Sequence, residues 1–148
     1  MNATDALIGV SRLLLDTNSV VSVLEREANA PLVWAVFHAA LSQRVQLVVS
    51  PLTLIEILSK PGLSEAELRR RSEFCLGTQE IEFKPIIFDD AFAKRVAFHR
   101  RRASPQKVPD CIQYASAEWL DCDAILSNDR RFVLQSPVRA ILTEDIDL

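Results

Sequence analysis

The sequence predicts an α/β fold of three layers, α/β/α, with a central, mostly parallel, twisted sheet of four or five strands. Short apolar runs alternate with segments of helical periodicity along the chain. Strands that alternate with helices form parallel sheets, which helices cover on both faces. A length of 148 residues, 49% of them hydrophobic, is enough for one domain with a buried core.

Five segments are predicted as strands because they are short, apolar and bounded by polar or turn-forming residues. They are Arg12 to Leu15, Val45 to Val49, Ile81 to Phe88, Ala124 to Ser127 and Arg139 to Leu142. The second segment is rich in β-branched residues, which favour strands. Pro85 lies in the third and has no backbone N–H, so it favours a sheet edge or a bulge there.

Helices are predicted between the strands from apolar periodicity and capping residues. Thr17 or Asn18 is expected to cap the first helix, Ser64 and Glu67 have the spacing of a capping box, and Asp89 is expected to cap a later helix. The predicted spans are 17–27, 31–43, 51–60, 64–77, 89–102 and 109–120. The side chains expected to point inward include Trp34, Phe37, Leu41 and Trp119.

No repeat, low-complexity tract or linker divides the chain, so residues 1–148 are predicted to form a single domain. Residues 1–11 carry no motif and are a candidate disordered extension. Residues 103–107 are predicted as a loop between two helices.

Composition excludes several classes of protein. No apolar run approaches the ~20 residues of a membrane helix, and the first residues lack the basic region of a signal peptide. We therefore expect a cytoplasmic protein without membrane association. Three cysteines without CxxC spacing argue against a disulfide framework or a zinc site, and three glycines exclude a glycine-rich phosphate loop. The net charge of −3 gives no overall basic surface for nucleic acid.

Four acidic residues stand in apolar surroundings, where a charge is costly unless it is paired or binds a cation. Asp16 ends the first strand, Asp129 follows the fourth, and Glu56 and Asp110 lie in predicted helices. Ligand sites in parallel sheets form outside the carboxyl ends of the strands, so all four acids can meet at one edge. Several carboxylates held together suit a hard divalent metal ion. This pattern indicates metal-assisted phosphodiester chemistry.

Each acid also has an ordinary structural interpretation. Asp16 can cap a helix, Asp110 can be favoured in a first helical turn, and Asp129 can be a turn residue. Glu56 can form a surface pair with Lys60 one turn later. Because these interpretations would have to coincide at four positions, we favour a shared site.

Four motifs occur in a fixed order and in fitting contexts. They are Asp16-Thr17-Asn18 after an apolar strand, Glu56 in Pro-Leu-Thr-Leu-Ile-Glu, Pro109-Asp110 before the small residues Ala115 and Ala117, and Ser127-Asn128-Asp129-Arg130-Arg131-Phe132. Together they resemble the PIN domain, and more narrowly the VapC-type ribonuclease toxins of type II toxin–antitoxin systems. The resemblance covers residues 13–142, which is nearly the whole chain.

The resemblance implies that Asp16, Glu56, Asp110 and Asp129 form an acidic quartet that holds one or two Mg²⁺ or Mn²⁺ ions and cuts RNA. Asp16 and Asp110 are expected to bind metal directly, and Glu56 and Asp129 to complete a second metal site or to orient water. The supporting residues are expected to be Thr17, Asn18, Ser127 and Asn128. Cys111 stands where the family commonly has alanine, a change that the fold should tolerate.

An acidic site repels RNA, so basic residues elsewhere have to bring the substrate to it. The candidates are Arg100, Arg101, Arg102, Lys107, Arg130 and Arg131. The alternative for the arginine run is a solvated helix end, where cations suit the helix dipole. The resemblance also implies a small antitoxin protein as a partner and a homodimer.

Two other functions stay open at this point. One is a catalytically silent PIN-like module that binds RNA or protein. The other is an aspartate-based phosphatase, which Leu15-Asp16-Thr17-Asn18 resembles weakly. Such phosphatases have a second aspartate two residues after the first, where this chain has Asn18, and a lysine near the third motif, for which Lys107 fits poorly.

Overall fold

The structure is a computed structural model that describes residues 1–102 and 107–148. Its sheet has five strands, all parallel: β1 Arg12–Leu15, β2 Gln46–Val49, β3 Ile81–Phe83, β4 Ala124–Ser127 and β5 Ala140–Leu142. Their order is β3-β2-β1-β4-β5. β1 is central, and its Leu15 pairs with Leu126 of β4. The predicted parallel sheet is confirmed, and β3 is an edge strand that ends before Pro85.

Helices connect the strands. They are α1 Ala3–Ala6, α2 Thr17–Leu24, α3 Ala30–Gln43, α4 Pro51–Leu58, α5 Glu65–Leu76, α6 Asp90–Arg102, α7 Val108–Trp119 and α8 Arg130–Gln135, with a 3₁₀ turn at Thr143–Asp145. The predicted loop at 103–107 falls mostly outside the described residues, and its last residue, Lys107, is the N-cap of α7. None of the described helices combines the length and apolar character that a membrane crossing requires.

Successive residues of the strands supply two separate cores, as the alternating direction of strand side chains requires. Leu13 and Leu15 of β1 lie in the larger core, together with buried residues of α1 to α5. Leu14 lies in the smaller core on the other face, with Tyr114 of α7 and Phe132 of α8. The predicted three-layer α/β/α architecture is therefore confirmed.

The prediction that Trp34, Leu41 and Trp119 point inward is wrong, because all three side chains are exposed. On α3 the buried stripe contains Val33, Val36, Phe37 and Ala40. Trp34 and Leu41 lie roughly 100° around the helix from the centre of this stripe, which turns them away from the core. Of the four side chains named above, only Phe37 is buried.

Residues 1–11 pack against the domain, so the candidate disordered extension is wrong. Ala6 and Leu7 are buried in the larger core. The Arg139 guanidinium donates hydrogen bonds to the backbone carbonyls of Ala6 (2.8 Å) and Ile8 (2.7 Å). The Asp147 N–H donates to the carbonyl of Met1 at 2.8 Å. The segment is therefore part of the folded domain and covers one side of the larger core.

We predict that Leu7→Ala lowers the free energy of unfolding by roughly 2–5 kcal/mol, as truncation of buried leucines does. Leu7 is 1% exposed, whereas the adjacent Ile8 is 66% exposed, so Ile8→Ala should change stability by no more than about 0.5 kcal/mol. Urea unfolding of the full chain measures both. Equal, small effects at the two positions would contradict the packing described for this segment.

Candidate functional site

The site lies where β1 and β4 end side by side. Asp16 directly follows β1, and its N–H donates to the carbonyl of Leu126 in β4 at 2.9 Å. Ser127 ends β4, and its hydroxyl donates to Asp16 Oδ2 at 2.7 Å. The parallel register of the two central strands therefore brings the first and fourth motifs into direct contact, as the sequence predicts.

Asp16 has a buried carboxylate with only 8% of the residue exposed. It caps α2 by accepting a hydrogen bond from the Thr17 N–H at 2.9 Å, so the expected caps Thr17 and Asn18 are wrong. Burial disfavours the charged form and raises the pKa of Asp16 to about 6, although hydrogen bonds from Ser127, Thr17 and Gln113 favour the carboxylate. The nearby Asp110 raises the pKa further. Asp16 thus combines a capping role with an unusual electrostatic environment.

Asp110 lies in the first turn of α7 and is partly buried. Burial raises the pKa of its carboxyl group, and the negative charges of Asp129 and Glu56 raise it further. A backbone hydrogen bond and the charge of Lys107 act in the opposite direction. These mutual effects place Asp110 within electrostatic reach of the other three acids.

Glu56 and Asp129 are exposed members of the same group. Glu56 lies on α4, and its Oε1 accepts a hydrogen bond from the Thr17 hydroxyl at 2.8 Å. The surface pair of Glu56 with Lys60 does not form, because Lys60 forms an ion pair with Glu25. Asp129 caps α8 by accepting from the N–H groups of Arg131 (2.9 Å) and Phe132 (3.2 Å). Hydrogen bonds thereby hold one oxygen of each of these two carboxylates in place.

The supporting residues named from the sequence connect the first and fourth motifs. Asn18 Oδ1 accepts from the Asn128 N–H at 2.9 Å, and the Asn128 side-chain amide donates to the Asn18 carbonyl at 3.1 Å. The Ser127 hydroxyl oxygen also accepts from the Asp129 N–H at 3.1 Å. Ser127 thus contacts both Asp16 and Asp129.

Three polar residues behind the acids were missed in the sequence analysis. Gln113 of α7 is 1% exposed, and its amide donates to Asp16 Oδ1 (3.3 Å) and to the Thr53 hydroxyl (3.0 Å). Its carbonyl oxygen accepts from the Ser50 hydroxyl at 2.7 Å. Helical spacing could have identified two of them, because Gln113 follows Asp110 by three residues and Thr53 precedes Glu56 by three.

A hard divalent cation suits this donor set, which consists of carboxylate oxygens. Among residues 1–102 and 107–148, no three His, Cys, Asp or Glu side chains are placed so that they hold a metal as they stand. Mg²⁺ is usually bound through one or two carboxylates, with water in its other positions. Asp16 and Asp110 are the two acids with buried or partly buried carboxylates, and the charge of Asp110 raises the pKa of Asp16, so they are the pair that fits this requirement.

The candidate RNA-contacting residues lie on elements that adjoin the acids. Arg100, Arg101 and Arg102 end α6, where Arg95 and His99 of the same helix bind Glu118 of α7. Lys107 precedes the helix that carries Asp110, and Arg130 and Arg131 follow Asp129 directly. Arg130 forms an ion pair with Glu144, and Arg102 donates to the Gln135 carbonyl at 3.2 Å. Arg131 is exposed beside the site.

A separate cavity of about 640 Å³ lies at the other end of the sheet, where β2 and β3 begin. Trp34, Phe37, Leu41 and Phe74 are among its lining residues. No member of the acidic quartet lines it.

The buried Asp16 carboxylate predicts an unusual dependence of stability on pH in metal-free protein with EDTA. Folded Asp16 keeps its proton up to a pKa of about 6, against an ordinary value of 3.8, so its contribution to stability is lost as pH rises between these values. Asp16→Asn stays neutral and should gain stability relative to wild type between about pH 4 and pH 7, by no more than about 3 kcal/mol.

Chemical denaturation at several pH values measures this difference. Asp121→Asn, which removes one charge at an exposed turn before β4, is the matched control. A constant difference between Asp16→Asn and wild type across this pH range would contradict the electrostatics described for Asp16.

Comparison with known proteins identifies the family of this chain. Residues 13–134 match the family model of the PIN domain. No curated protein matches the chain in sequence. FitAcB from Neisseria gonorrhoeae has a similar solved structure, with a TM-score of 0.66 and 19% identity, over 90% of this chain and 99% of that chain.

Two further solved structures are similar in fold. VapBC2 from Rickettsia felis, bound to a DNA fragment from their promoter, has a TM-score of 0.67 and 12% identity, over 88% of this chain and 98% of that chain. FitAB bound to an IR36 DNA fragment has a TM-score of 0.64 and 16% identity, over 92% and 98%. The family match includes all four acids, and the fold agrees with it. The chain therefore belongs to the PIN domain family, whose members are nucleases.

Proposed function

We propose that this protein is an Mg²⁺- or Mn²⁺-dependent endoribonuclease that hydrolyses RNA phosphodiester bonds. The observation that carries the proposal is the buried Asp16 beside Asp110 at the carboxyl edge of the sheet, with Glu56 and Asp129 within electrostatic range. A PIN domain provides the family context. Burial of the charged Asp16 carboxylate destabilises the fold unless a cation binds to it, which is a reason to expect a cation at this site.

Asp16 and Asp110 are the proposed direct ligands of the metal, with one or two ions bound. A bound ion would lower the pKa of a water molecule and stabilise negative charge on the scissile phosphate. Glu56 and Asp129 have exposed carboxylates that can orient water or complete a second site. Ser127 holds Asp16 and Asp129 in register, and the Thr17 hydroxyl holds Glu56.

Substrate binding is assigned to the basic residues beside the acids. Arg100, Arg101 and Arg102 end α6, Lys107 precedes α7, and Arg131 lies at the start of α8. Phosphate contacts of this kind position a nucleic acid without reading its sequence. Arg130 is a weaker candidate because Glu144 already pairs with it.

Cleavage of a mixed RNA pool tests the proposal. Wild type should cut RNA with Mg²⁺ or Mn²⁺ and stop in EDTA, and Asp16→Asn and Asp110→Asn should each lose at least about 100-fold in kcat/KM, since each removes a proposed metal ligand. Asp121→Asn should cut as wild type does. Arg131→Ala should raise KM more than it lowers kcat, since its proposed contact is to the RNA backbone.

Other outcomes favour the two alternatives. RNA binding without cutting by any form, and no thermal shift with metal, would indicate a catalytically silent binding module. Release of phosphate from a small phosphate ester, with RNA left intact, would indicate a phosphatase. Equal RNA cutting by wild type and both site variants would mean a contaminating nuclease and would refute the site assignment.

We also propose that the protein is the toxin of a toxin–antitoxin pair, with a small antitoxin as its partner and a homodimer as its own state. The VapC-type motifs and the fold shared with VapBC2 and FitAB support this. Light scattering should give twice the chain mass for the protein alone, and co-expression with a small neighbouring gene product should give a larger complex and inhibit cleavage. A monomer that binds no such product would contradict this proposal.

A further inference from the structure

The buried amide of Gln113 is the feature that the acidic quartet does not explain. All of its polar atoms are engaged: Oε1 accepts from Ser50, and Nε2 donates to both Asp16 and Thr53. The opposite amide orientation would turn the carbonyl oxygen toward the Asp16 carboxylate, where two acceptors would repel each other. The Asp16 carboxylate, which only accepts when ionised, therefore fixes the orientation of the amide, and the Ser50 hydroxyl donates to the oxygen that this orientation presents.

The hydrogen bonds continue from Gln113 to Glu56, and the donor and the acceptor of each bond can be assigned. The Thr17 hydroxyl has one proton, which it donates to Glu56 Oε1 at 2.8 Å. The 3.1 Å contact between the hydroxyls of Thr17 and Thr53 therefore has Thr53 as the donor, while Thr53 accepts from Gln113. The sequence of donors is Gln113, Thr53 and Thr17, and it ends at Glu56.

The chain of hydrogen bonds joins three separate elements. Gln113 lies on α7, Thr53 and Glu56 lie on α4, and Thr17 begins α2 immediately after Asp16. A shift of Asp16 or of its helix would break a bond at one end and release Glu56 at the other. A buried hydrogen-bond network in which every polar group has a partner makes the side chains that it joins more rigid.

We propose that Gln113 is a positioning residue that holds Asp16 in its metal-binding orientation and, through Thr53 and Thr17, couples Asp16 to Glu56. This inference rests on the proposed function, because it assigns Asp16 a metal to bind. Residues that orient a metal ligand in this way alter metal affinity, although they do not contact the ion.

Mn²⁺ binding to the full chain, followed by the electron paramagnetic resonance of free Mn²⁺, tests the inference. Gln113→Met keeps the length of the side chain and removes the amide, and it should weaken Mn²⁺ binding about 10- to 100-fold. Ser116→Ala is the matched control on the same helix, because the buried Ser116 hydroxyl donates to the Ile112 carbonyl and lies outside the hydrogen-bond chain. It should bind Mn²⁺ as wild type does.

A second pair of variants keeps the test decisive if Gln113→Met does not fold. Thr53→Val removes the hydroxyl with little change in shape and should weaken Mn²⁺ binding and lower kcat more than it changes KM, whereas Thr53→Ser should restore both. A merely structural role would lower thermal stability in both Thr53 variants without following this pattern.

The outcomes separate the inference from the function on which it rests. Tight Mn²⁺ binding by wild type and an equal affinity in folded Gln113→Met, or in Thr53→Val, would overturn the positioning role while the proposed function stands. No Mn²⁺ binding by wild type would refute the metal-dependent function, and the positioning role with it.

Discussion

The carboxylate of Asp16, buried at the end of the central strand, constrains how the neighbouring strand and helices pack around it. The Asp16 side chain has lost most of its water, and hydrogen bonds from Ser127, Thr17 and Gln113 replace part of it. These donors come from the end of β4, the start of α2 and the interior of α7. The positions of three elements are thus tied to the orientation of one acid, and the remaining desolvation raises the pKa of Asp16 to about 6.

The other acids extend the same arrangement to the surface of the sheet edge. Asp110 and Glu56 come from helices on the two adjoining connections, and Asp129 follows the neighbouring strand. Their negative charges oppose one another, as the raised pKa of Asp110 indicates. A site that concentrates negative charge, with cations on the flanking helix ends, is consistent with a metal-assisted reaction on a polyanion.

Much of this organisation could be predicted from the sequence because it depends on short-range patterns. The strand segments were identified from their apolar runs, and Asp16 and Asp129 follow two of these strands, which are adjacent in the sheet. The helix α8 was missed because it has six residues and Phe132 is its only buried one. The packing of residues 1–11 was missed because it depends on distant partners such as Arg139 and Asp147.

The hydrogen-bond chain behind the acids is the part of the site that local patterns could not reveal. Gln113 and Thr53 lie 60 positions apart in the chain, and only the packing of α7 against α4 brings them together. Helical spacing places each of them beside an acid, yet it does not show that the two contact each other. Tertiary packing decides which polar groups inside a domain become partners.

The most direct test of the central claim is an anomalous difference map from crystals grown with MnCl₂. The account predicts an Mn²⁺ peak between the carboxylates of Asp16 and Asp110, which is lost in crystals of Asp16→Asn. Well-ordered carboxylates with no peak between them, or with Mn²⁺ bound only elsewhere on the protein, would contradict it.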